Sequence, residues 1–431
     1  MKATKARIGS AQKVAVIGGG PAGSVAATRL AQQGIEVALF EREKFPRFHI
    51  GESLLPHGNR VLKAIGVWEE IVAAGFIEKR GAQFTLPDRS RTVRNVFAQG
   101  WVPGLDFTYQ VERARFDEIL LQHARASGVS VYEEAQVRAA RQLPGGWELS
   151  IARAGQVEVV GVDWVVDASG RNCVMGRTLK LPKSALPYPG RMAVFNHFEN
   201  MVRDEGDAAG DVIVMRMRDA WFWAIPISAS VTSVGVVLQK GDGRKDGESW
   251  QDLFWRKVNE SSFFISALAH ARAIGEYRID SDYSFSYQTF GARRALLAGD
   301  AASFIDPVFS SGVYLALESG LLAADTIAQQ CLQNGVGSPV KSAVYKSYTA
   351  ALKRQMHYMR QLVDTYYDEH GFEVLMTPHP GLHLPQAVNA VLAGCLNPDW
   401  AVRWRLWLFR QLCKLHKKRG LVTRIDWNST K

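Results

Sequence analysis

The sequence contains few cysteines and no long apolar run. The four cysteines among its 431 residues lie far apart, and no Cys-x-x-Cys pair occurs. A disulfide framework or a metal site is therefore not expected, and the pattern favours a reducing, cytoplasmic location. The lack of any run of about 18 apolar residues predicts that no segment crosses a membrane. The apolar residues after the basic N-terminus are too few for the core of a signal peptide.

Acidic residues are scarce at the C-terminal end of the chain. The whole sequence has 52 basic and 42 acidic residues, but residues 401–431 hold nine basic residues and one acid, Asp426. Trp404, Trp407 and Phe409 recur among these charges at near-helical spacing, which predicts an amphipathic basic helix. Either its aromatic face packs on the protein, or its charge binds an anionic membrane, a nucleic acid or an acidic protein. The remainder is near neutral, so a basic groove for nucleic acid is not expected.

A glycine-rich turn near the N-terminus joins a predicted strand to a predicted helix. The strand covers residues 13–17, the helix begins at about Ser24, and a second strand ends at Glu41. The G-x-G-x-x-G turn would bring backbone amides and the helix N-terminus to a pyrophosphate, while Glu41 accepts a hydrogen bond from a ribose hydroxyl. The predicted nucleotide contacts here are Gly18, Gly20, Pro21, Ala22, Gly23, Glu41 and Arg42. This pattern is typical of an FAD or NAD site.

Two later segments favour FAD over NAD. Gly299 and Asp300 follow a buried strand and precede a helix that is predicted from about Val313. Asp300 can bind ribityl hydroxyls there, while the helix N-terminus faces the reduced flavin. Arg113, at the start of another predicted helix, is a candidate contact of the pyrophosphate.

The succession of strand and helix patterns predicts an α/β protein. We expect a Rossmann-type FAD-binding domain, a mixed-sheet substrate domain and a basic, helical C-terminal region. Residues 54–75 and 113–127 read as helical. The assigned ranges are 11–84, 106–180 and 290–345 for the FAD-binding domain, 85–105 and 181–289 for the substrate domain, and 346–431 for the C-terminal region.

Four motifs resemble those of a known family. They are residues 45–56, the D-A-S-G-R segment 167–171, the W-x-W-x-I-P segment 221–226, and the F-x-x-P-x-x-S-x-G segment 304–312. All four are similar to segments of flavin-dependent halogenases, which belong to the aromatic-hydroxylase-like FAD enzymes, and this resemblance implies the same fold. It adds as predicted FAD contacts Arg47, Gly51, Glu52, Ser53, Asp167, Pro307, Gly312 and Val313.

The resemblance also implies a chemistry. In this family a separate flavin reductase supplies FADH2, oxygen converts it to a flavin hydroperoxide, and a halide attacks that species to give hypohalous acid. The hypohalous acid then reaches a lysine, which directs the halogen to an electron-rich ring. Lys79 matches that lysine, since a glycine and an aromatic residue follow it as in the family. Lys79 and Ser310 are the candidate catalytic residues, and an exposed lysine with no role is the alternative.

Three groups of residues complete the expected site. Chloride or bromide would bind the backbone amides of Ser311 and Gly312 at the turn into the predicted helix. Trp221 and Trp223 would line the path that separates substrate from flavin, or they would simply fill the core. Phe309 would join this lining.

Phe309 also bears on the substrate. Tryptophan halogenases carry a glutamate at the matching position, whereas halogenases of phenols and pyrroles resemble this sequence. The expected substrate is therefore a phenol or a pyrrole, either free or attached to an acyl or peptidyl carrier protein. Two alternatives stay open: an FAD-dependent aromatic hydroxylase (a monooxygenase), and a flavoprotein without halogenase activity.

Overall fold

The computed structural model describes residues 13–101, 104–186, 190–239, 244–282, 284–334, 339–378 and 381–427. Lys431, which belongs to the basic C-terminal segment, and residues 11–12 of the predicted FAD-binding domain lie outside the described residues. The strands are β1 (Lys13–Ile17), β2 (Glu36–Phe40), β3 (Ile77–Lys79), β4 (Gly81–Thr85), β5 (Thr92–Val96), β6 (Thr108–Gln110), β7 (Ser130–Tyr132), β8 (Gln136–Leu143), β9 (Gly146–Arg153), β10 (Gln156–Val162), β11 (Trp164–Asp167), β12 (Lys183–Ala185), β13 (Arg191–Glu199), β14 (Val212–Arg216), β15 (Ala220–Pro226), β16 (Val231–Gln239), β17 (Arg272–Asp282), β18 (Phe285–Tyr287), β19 (Gly291–Ala292), β20 (Ala295–Leu297) and β21 (Ser303–Phe304). The helices are α1 (Pro21–Gln32), α2 (Gly58–Ala64), α3 (Trp68–Ala73), α4 (Arg113–Ala126), α5 (Val174–Thr178), α6 (Trp250–Val258), α7 (Ser262–Leu268), α8 (Ser311–Asn334), α9 (Ser342–Tyr367), α10 (Glu369–Leu375), α11 (Leu384–Leu392) and α12 (Trp400–Arg419).

A six-stranded sheet has the order β19-β20-β11-β1-β2-β7. β1 lies parallel to both of its neighbours, with Val14 opposite Trp164 on β11 and Val37 on β2. All three residues are buried, as is usual for a parallel sheet that is covered on both faces. This arrangement confirms the predicted α/β fold with a Rossmann-type sheet.

Helices α1 and α8 pack against each other beside this sheet. A methyl group on Gly320 of α8 would overlap the carbonyl oxygen of Ala22 on α1. The absence of a side chain at Gly320 therefore permits the close crossing of the two helices.

A seven-stranded sheet has the order β17-β13-β16-β15-β14-β4-β5, with β4 and β14 parallel and the other pairs antiparallel. On β15, Trp221 and Trp223 face the main core, whereas Phe222 faces the opposite side and packs against α6 and α7. β4 belongs to this sheet, so the chain enters it at Gly81, inside the segment 11–84 that was predicted for the FAD-binding domain. The division into domains stays a prediction.

Two predicted helices have different bounds in the structure. The region 54–75 holds α2 and α3, which are separated by Gly66 at a φ of +84°. A positive φ of this kind interrupts a right-handed helix and suits glycine. α8 begins at Ser311, so Ser311 and Gly312 belong to its first turn and do not precede it.

The basic helix is confirmed as α12. Asp399 caps its start, because the Asp399 carboxylate accepts a 2.9 Å hydrogen bond from the Val402 amide. Val402, Leu406 and Phe409 are buried on one face, but Trp407 is 61% exposed. The interpretation that the aromatic residues form one packed face is therefore wrong for Trp407. Among the described helices, we find none with enough length and apolar character to span a bilayer.

Candidate active site

The glycine turn between β1 and α1 is tight at two positions and open at a third. Gly18 has a φ of +102°, and a side chain there would overlap the Ala168 carbonyl oxygen. A side chain on Gly23 would overlap the Gly18 carbonyl oxygen. By contrast, a methyl group on Gly20 would only approach the tip of Arg47, at 3.4 Å. The turn therefore offers its backbone at Gly20, directly before Pro21 and Ala22 open α1, as a pyrophosphate requires.

Glu41 lies against this turn. Its carboxylate is buried and accepts hydrogen bonds from the amides of Gly19, at 2.6 Å, and Glu43, at 2.9 Å. These contacts orient the carboxylate at the end of β2, where the sequence predicts a ribose contact. Arg42 points to the surface and pairs with Glu43 at 3.1 Å.

Arg113 joins the start of α4 to the segment before Ser53. The buried guanidinium forms two hydrogen bonds to Asp117, at 2.8 and 2.9 Å, and donates to the carbonyl oxygens of Ile50 and Gly51. Arg47 also reaches Asp117, at 3.3 Å. The predicted FAD contacts Arg47, Gly51 and Arg113 are thus brought together by one buried carboxylate.

The predicted FAD segment that begins at Gly299 packs against the glycine turn through small residues. A methyl group on Gly299 would lie 3.1 Å from Ala22 of α1 and 3.5 Å from Ala316 of α8. Asp300 follows directly, and burial raises the pKa of its carboxyl to about 6, against the opposing charges of Arg171 and Arg113. Asp300 therefore lies beside the glycine turn, with a poorly solvated carboxyl.

Asp167 has its hydrogen bonds inside the protein. Its two oxygens accept from the amide and hydroxyl of Ser169 and from the amide of Met175. The side chain therefore holds the loop after β11 beside Gly18, while its contact with FAD stays a prediction.

Lys79 is buried, with an exposed fraction of 1%. Its Nζ donates 2.9 Å hydrogen bonds to the Ser53 hydroxyl and to the Leu54 carbonyl oxygen. Burial lowers the pKa of Lys79 to about 7, and the nearby Asp211 carboxylate opposes this shift. The alternative of an exposed lysine is therefore wrong. Within the described part of the chain, no hydrogen bond joins Lys79 to Ser310.

Two neighbours of the predicted site residues were missed from the sequence. Asp211, directly before β14 and near Lys79, is buried and pairs with Arg94 at 2.6 Å. His197 of β13 donates a 2.6 Å hydrogen bond to Glu52, whose other oxygen is buried without a partner. Both contacts join residues that are far apart in the chain, so no local sequence pattern predicts them.

The turn before α8 combines strain with an unpaired hydroxyl. Ser310 has a φ of +57°, a left-handed conformation that is uncommon for residues other than glycine. The hydroxyl of Ser311 is buried without a hydrogen-bond partner, and nothing lies within 4 Å of the position of a side chain on Gly312. Pro307 starts the short 3-10 turn that sets up this geometry, and Val313 follows in α8.

The aromatic residues of the predicted lining lie in one core. The rings of Trp221 and Trp223 are 6.0 Å apart. Phe309 packs edge-on against Phe84, at 5.6 Å, and Tyr366, at 5.7 Å. The wall beside the Ser310 turn is thus apolar.

These residues fit FAD. The exposed backbone at Gly20, the buried carboxylate of Glu41 and the small residues between Gly299 and α1 form a cradle that larger side chains would fill. Gly51 lies beside this cradle, close to Arg113 and to Val313 of α8.

Comparisons with known proteins agree with this geometry. The FAD binding domain family matches residues 11–355. A 1H-pyrrole-2-carbonyl peptidyl-carrier-protein chlorinase from Pseudomonas fluorescens is 35% identical over 344 residues, which are 74% of this chain and 76% of that protein. A tryptophan 2-halogenase from Chondromyces crocatus is 31% identical over 325 residues, 74% of this chain and 61% of its own length.

A solved structure is also similar. The flavin-dependent brominase Bmp2 superposes with a TM-score of 0.81 at 26% identity, covering 94% of this chain and 99% of that one. The match to the FAD-binding family over most of the chain, and the identity to curated halogenases, agree with the motifs and with the cradle. This chain belongs to the flavin-dependent halogenases, enzymes that use FAD and a halide ion.

Proposed function

We propose that this protein halogenates a phenol or a pyrrole carried by a carrier protein, with Lys79 directing the halogen. The burial of Lys79 carries this proposal. A lysine with a pKa of about 7 is partly a neutral amine near pH 7. That amine can accept halogen from hypohalous acid with release of water, and the protonated form can instead donate a hydrogen bond to it.

The same proposal assigns roles around Lys79. Ser53 and Leu54 fix the amine by accepting its hydrogen bonds, and the Asp211 charge keeps part of it protonated. Ser310 would hold the turn before α8 in its left-handed conformation. Strained backbone of this kind is common at functional sites. Trp221, Trp223 and Phe309 would line the space and exclude water.

FAD would be held by the residues of the cradle, and when reduced it supplies the activation of oxygen. A separate flavin reductase in the cytoplasm would deliver it as FADH2, as the resemblance to the family implies. The proposed FAD contacts are Gly18, Gly20, Pro21, Ala22, Gly23, Glu41, Arg42, Arg47, Gly51, Glu52, Ser53, Arg113, Asp167, Asp300, Pro307, Gly312 and Val313.

The halide would bind at the first turn of α8. The unpaired hydroxyl of Ser311 can donate to an anion, and the first amides of a 24-residue helix have no acceptor within the helix. The positive end of the helix dipole adds to the attraction. Ser311 and Gly312 are therefore the proposed halide ligands.

The apolar wall supports an electron-rich substrate. Phe309 stands at the sequence position where the tryptophan halogenases have a glutamate, and the rings of Phe84 and Tyr366 pack against it. The substrate itself must then stabilise the charge of the attacked ring. Phenols and pyrroles do so. The chlorinase from Pseudomonas fluorescens acts on a pyrrole carbonyl attached to a peptidyl carrier protein, which favours a carrier-bound pyrrole here.

Turnover of the Lys79→Ala variant tests this function. With a flavin reductase, FAD, bromide and a panel of phenols, pyrroles and indoles, free and carrier-bound, wild-type protein should give brominated products by mass spectrometry. Lys79→Ala should lose about 100-fold or more of this activity, corresponding to ~2.7 kcal/mol of barrier, yet consume oxygen at the wild-type rate. Lys346→Ala, which alters an exposed lysine of α9, is the matched control. Retention of activity within about tenfold of wild type would contradict the role of Lys79, and hydroxylated products would identify an aromatic hydroxylase.

A further inference from the structure

The exposed face of α12 carries alternating aromatic and basic side chains. These residues recur at intervals of three and four, so they lie on one side of the helix. We call them the α12 stripe: Trp400, Arg403, Trp407, Arg410, Lys414 and Lys417. The two tryptophans are 70% and 61% exposed, which is rare for so large an apolar ring.

The charge of the α12 stripe is not neutralised locally. Among the described residues, no acidic side chain forms an ion pair with its four cations. α12 itself contains no aspartate or glutamate. The stripe therefore presents a concentrated positive field, and a partner that covers it must be acidic.

The pattern favours a protein over a membrane or a nucleic acid. A membrane-binding helix inserts a continuous apolar face, but the apolar face of α12, with Val402, Leu406 and Phe409, is already packed within the protein. On the exposed face, Arg403 separates the two tryptophans, and only cations follow Trp407. Tryptophan and arginine are also the residues that most often dominate binding energy at protein interfaces.

Helix α12 contacts the segment that leads to Lys79, on a side of the helix other than the α12 stripe. The Phe97 ring is 5.4 Å from Lys79 Nζ, and Trp101, four residues later, lies 4.0 Å from the guanidinium of Arg405 on α12. Four residues span at most about 14 Å of chain. Trp404 completes this contact, since its ring packs against both Arg405 and Trp400.

We propose that the α12 stripe is the docking surface for the acidic carrier protein that presents the aromatic ring. This inference rests on the carrier-bound substrate of the proposed function. From a carrier docked there, a flexible prosthetic arm would pass the segment 97–101 to reach Lys79. The two tryptophans supply contact area, and the cations steer the encounter and fix its orientation.

The test compares charge reversal on the stripe with charge reversal elsewhere. The stripe variant is Arg410→Glu with Lys414→Glu, and the control is Arg138→Glu with Arg177→Glu, two exposed cations on β8 and α5. Both variants change the net charge equally. With a peptidyl carrier protein loaded with pyrrole-2-carboxylate, the stripe variant should lose about tenfold or more in kcat/KM, the scale of electrostatic steering. The control should lose less than about twofold, and both should brominate a free pyrrole at the wild-type rate.

A second variant and a lipid assay make the result decisive. Trp407→Ala, which removes no charge, should weaken binding of the loaded carrier in calorimetry without changing the melting temperature. Equal losses with carrier-bound and free substrate, or no loss with either, would overturn the docking proposal. Binding of wild-type protein to phosphatidylserine vesicles that the stripe variant abolishes would assign the stripe to a membrane instead. If wild-type protein halogenates free pyrrole but not the carrier-bound ring, the proposed substrate is wrong as well.

Discussion

His197 of β13 donates a 2.6 Å hydrogen bond to Glu52, and so joins the seven-stranded sheet to a segment that is predicted to contact FAD. Glu52 is 1% exposed, and its second oxygen has no partner. The hydrogen bond from His197 therefore offsets the cost of burying the Glu52 carboxylate by itself.

Removing His197 should destabilise the fold. The His197→Ala variant leaves the Glu52 carboxylate without its donor, which should lower the free energy of unfolding by about 1–3 kcal/mol. Denaturant unfolding of His197→Ala, Glu52→Gln and the double variant measures the coupling between the two residues. If the two single effects simply add in the double variant, the pair does not contribute as described.

Burial of the Lys79 charge should lower the free energy of unfolding, in addition to the proposed role of Lys79 in halogen transfer. Its pKa is about 7 in the folded protein and about 10.5 when unfolded, so the unfolded chain binds more protons between these values and stability rises with pH across that range. Below pH 7 the full penalty for burying the charge is present. The Lys79→Met variant should therefore be more stable than wild type by about 1 kcal/mol or more at pH 6.5, and less so at pH 10.

The unfolding free energies of wild type, Lys79→Met and the exposed control Lys346→Met, measured at both pH values, check this expectation. An equal difference between wild type and Lys79→Met at pH 6.5 and pH 10 would show that Lys79 does not titrate in this range.

The glycine turn should tolerate a side chain at Gly20 only when FAD is absent. Gly20 has an extended backbone that any residue can adopt, and the flexible Arg47 is its near neighbour. Gly20→Val should therefore fold but bind FAD at least tenfold more weakly, a loss of about 1.4 kcal/mol. Gly161→Val, at an open position in β10, is the control. Flavin titration by fluorescence gives both affinities. If Gly20→Val binds FAD with wild-type affinity, the pyrophosphate does not bind at this turn.

Ser311 should matter for halide and little for stability. Ser311→Ala deletes a hydroxyl that has no partner in the protein, so the melting temperature should stay the same or rise slightly. A hydrogen bond to a charged ligand contributes about 1.5–3 kcal/mol, so the KM for bromide should rise about tenfold or more. Anomalous diffraction from bromide-soaked crystals locates the ion directly, and a bromide site elsewhere with none at Ser311 would contradict the assignment.

Local sequence patterns predicted the strands, helices and turns that position the site. The contacts that they did not predict join segments far apart in the chain. The turn at Gly18 and the motif that points to Lys79 are short segments whose spacing alone carries the information. The pairing of Glu52 with His197, and the approach of Asp211 to Lys79, bring together distant segments through the seven-stranded sheet. The burial of Lys79 is likewise a property of the folded sheet, since its immediate neighbours in the sequence are charged.

The exposed position of Trp407 has a similar origin. Hydrophobic spacing indicated an amphipathic α12, but which residues face the protein depends on where α10 and α11 pack. The first residue of α8 was also not predictable from the sequence. Ser310 adopts a left-handed conformation that ends the preceding turn, and the helix therefore begins at Ser311. Backbone conformations of this kind are rare for serine and are not expected from composition.

The close crossing of α1 and α8 at Gly320 has a consequence for how the reactants meet. The glycine turn opens one of these helices, and the proposed halide ligands open the other. Densely packed interiors deform little, so this pair behaves as one rigid body. The separation between the diphosphate of the cofactor and the halide is then determined by folding and not by ligand binding. Oxidant and halide would then meet at a distance that is set by the contact between Ala22 and Gly320.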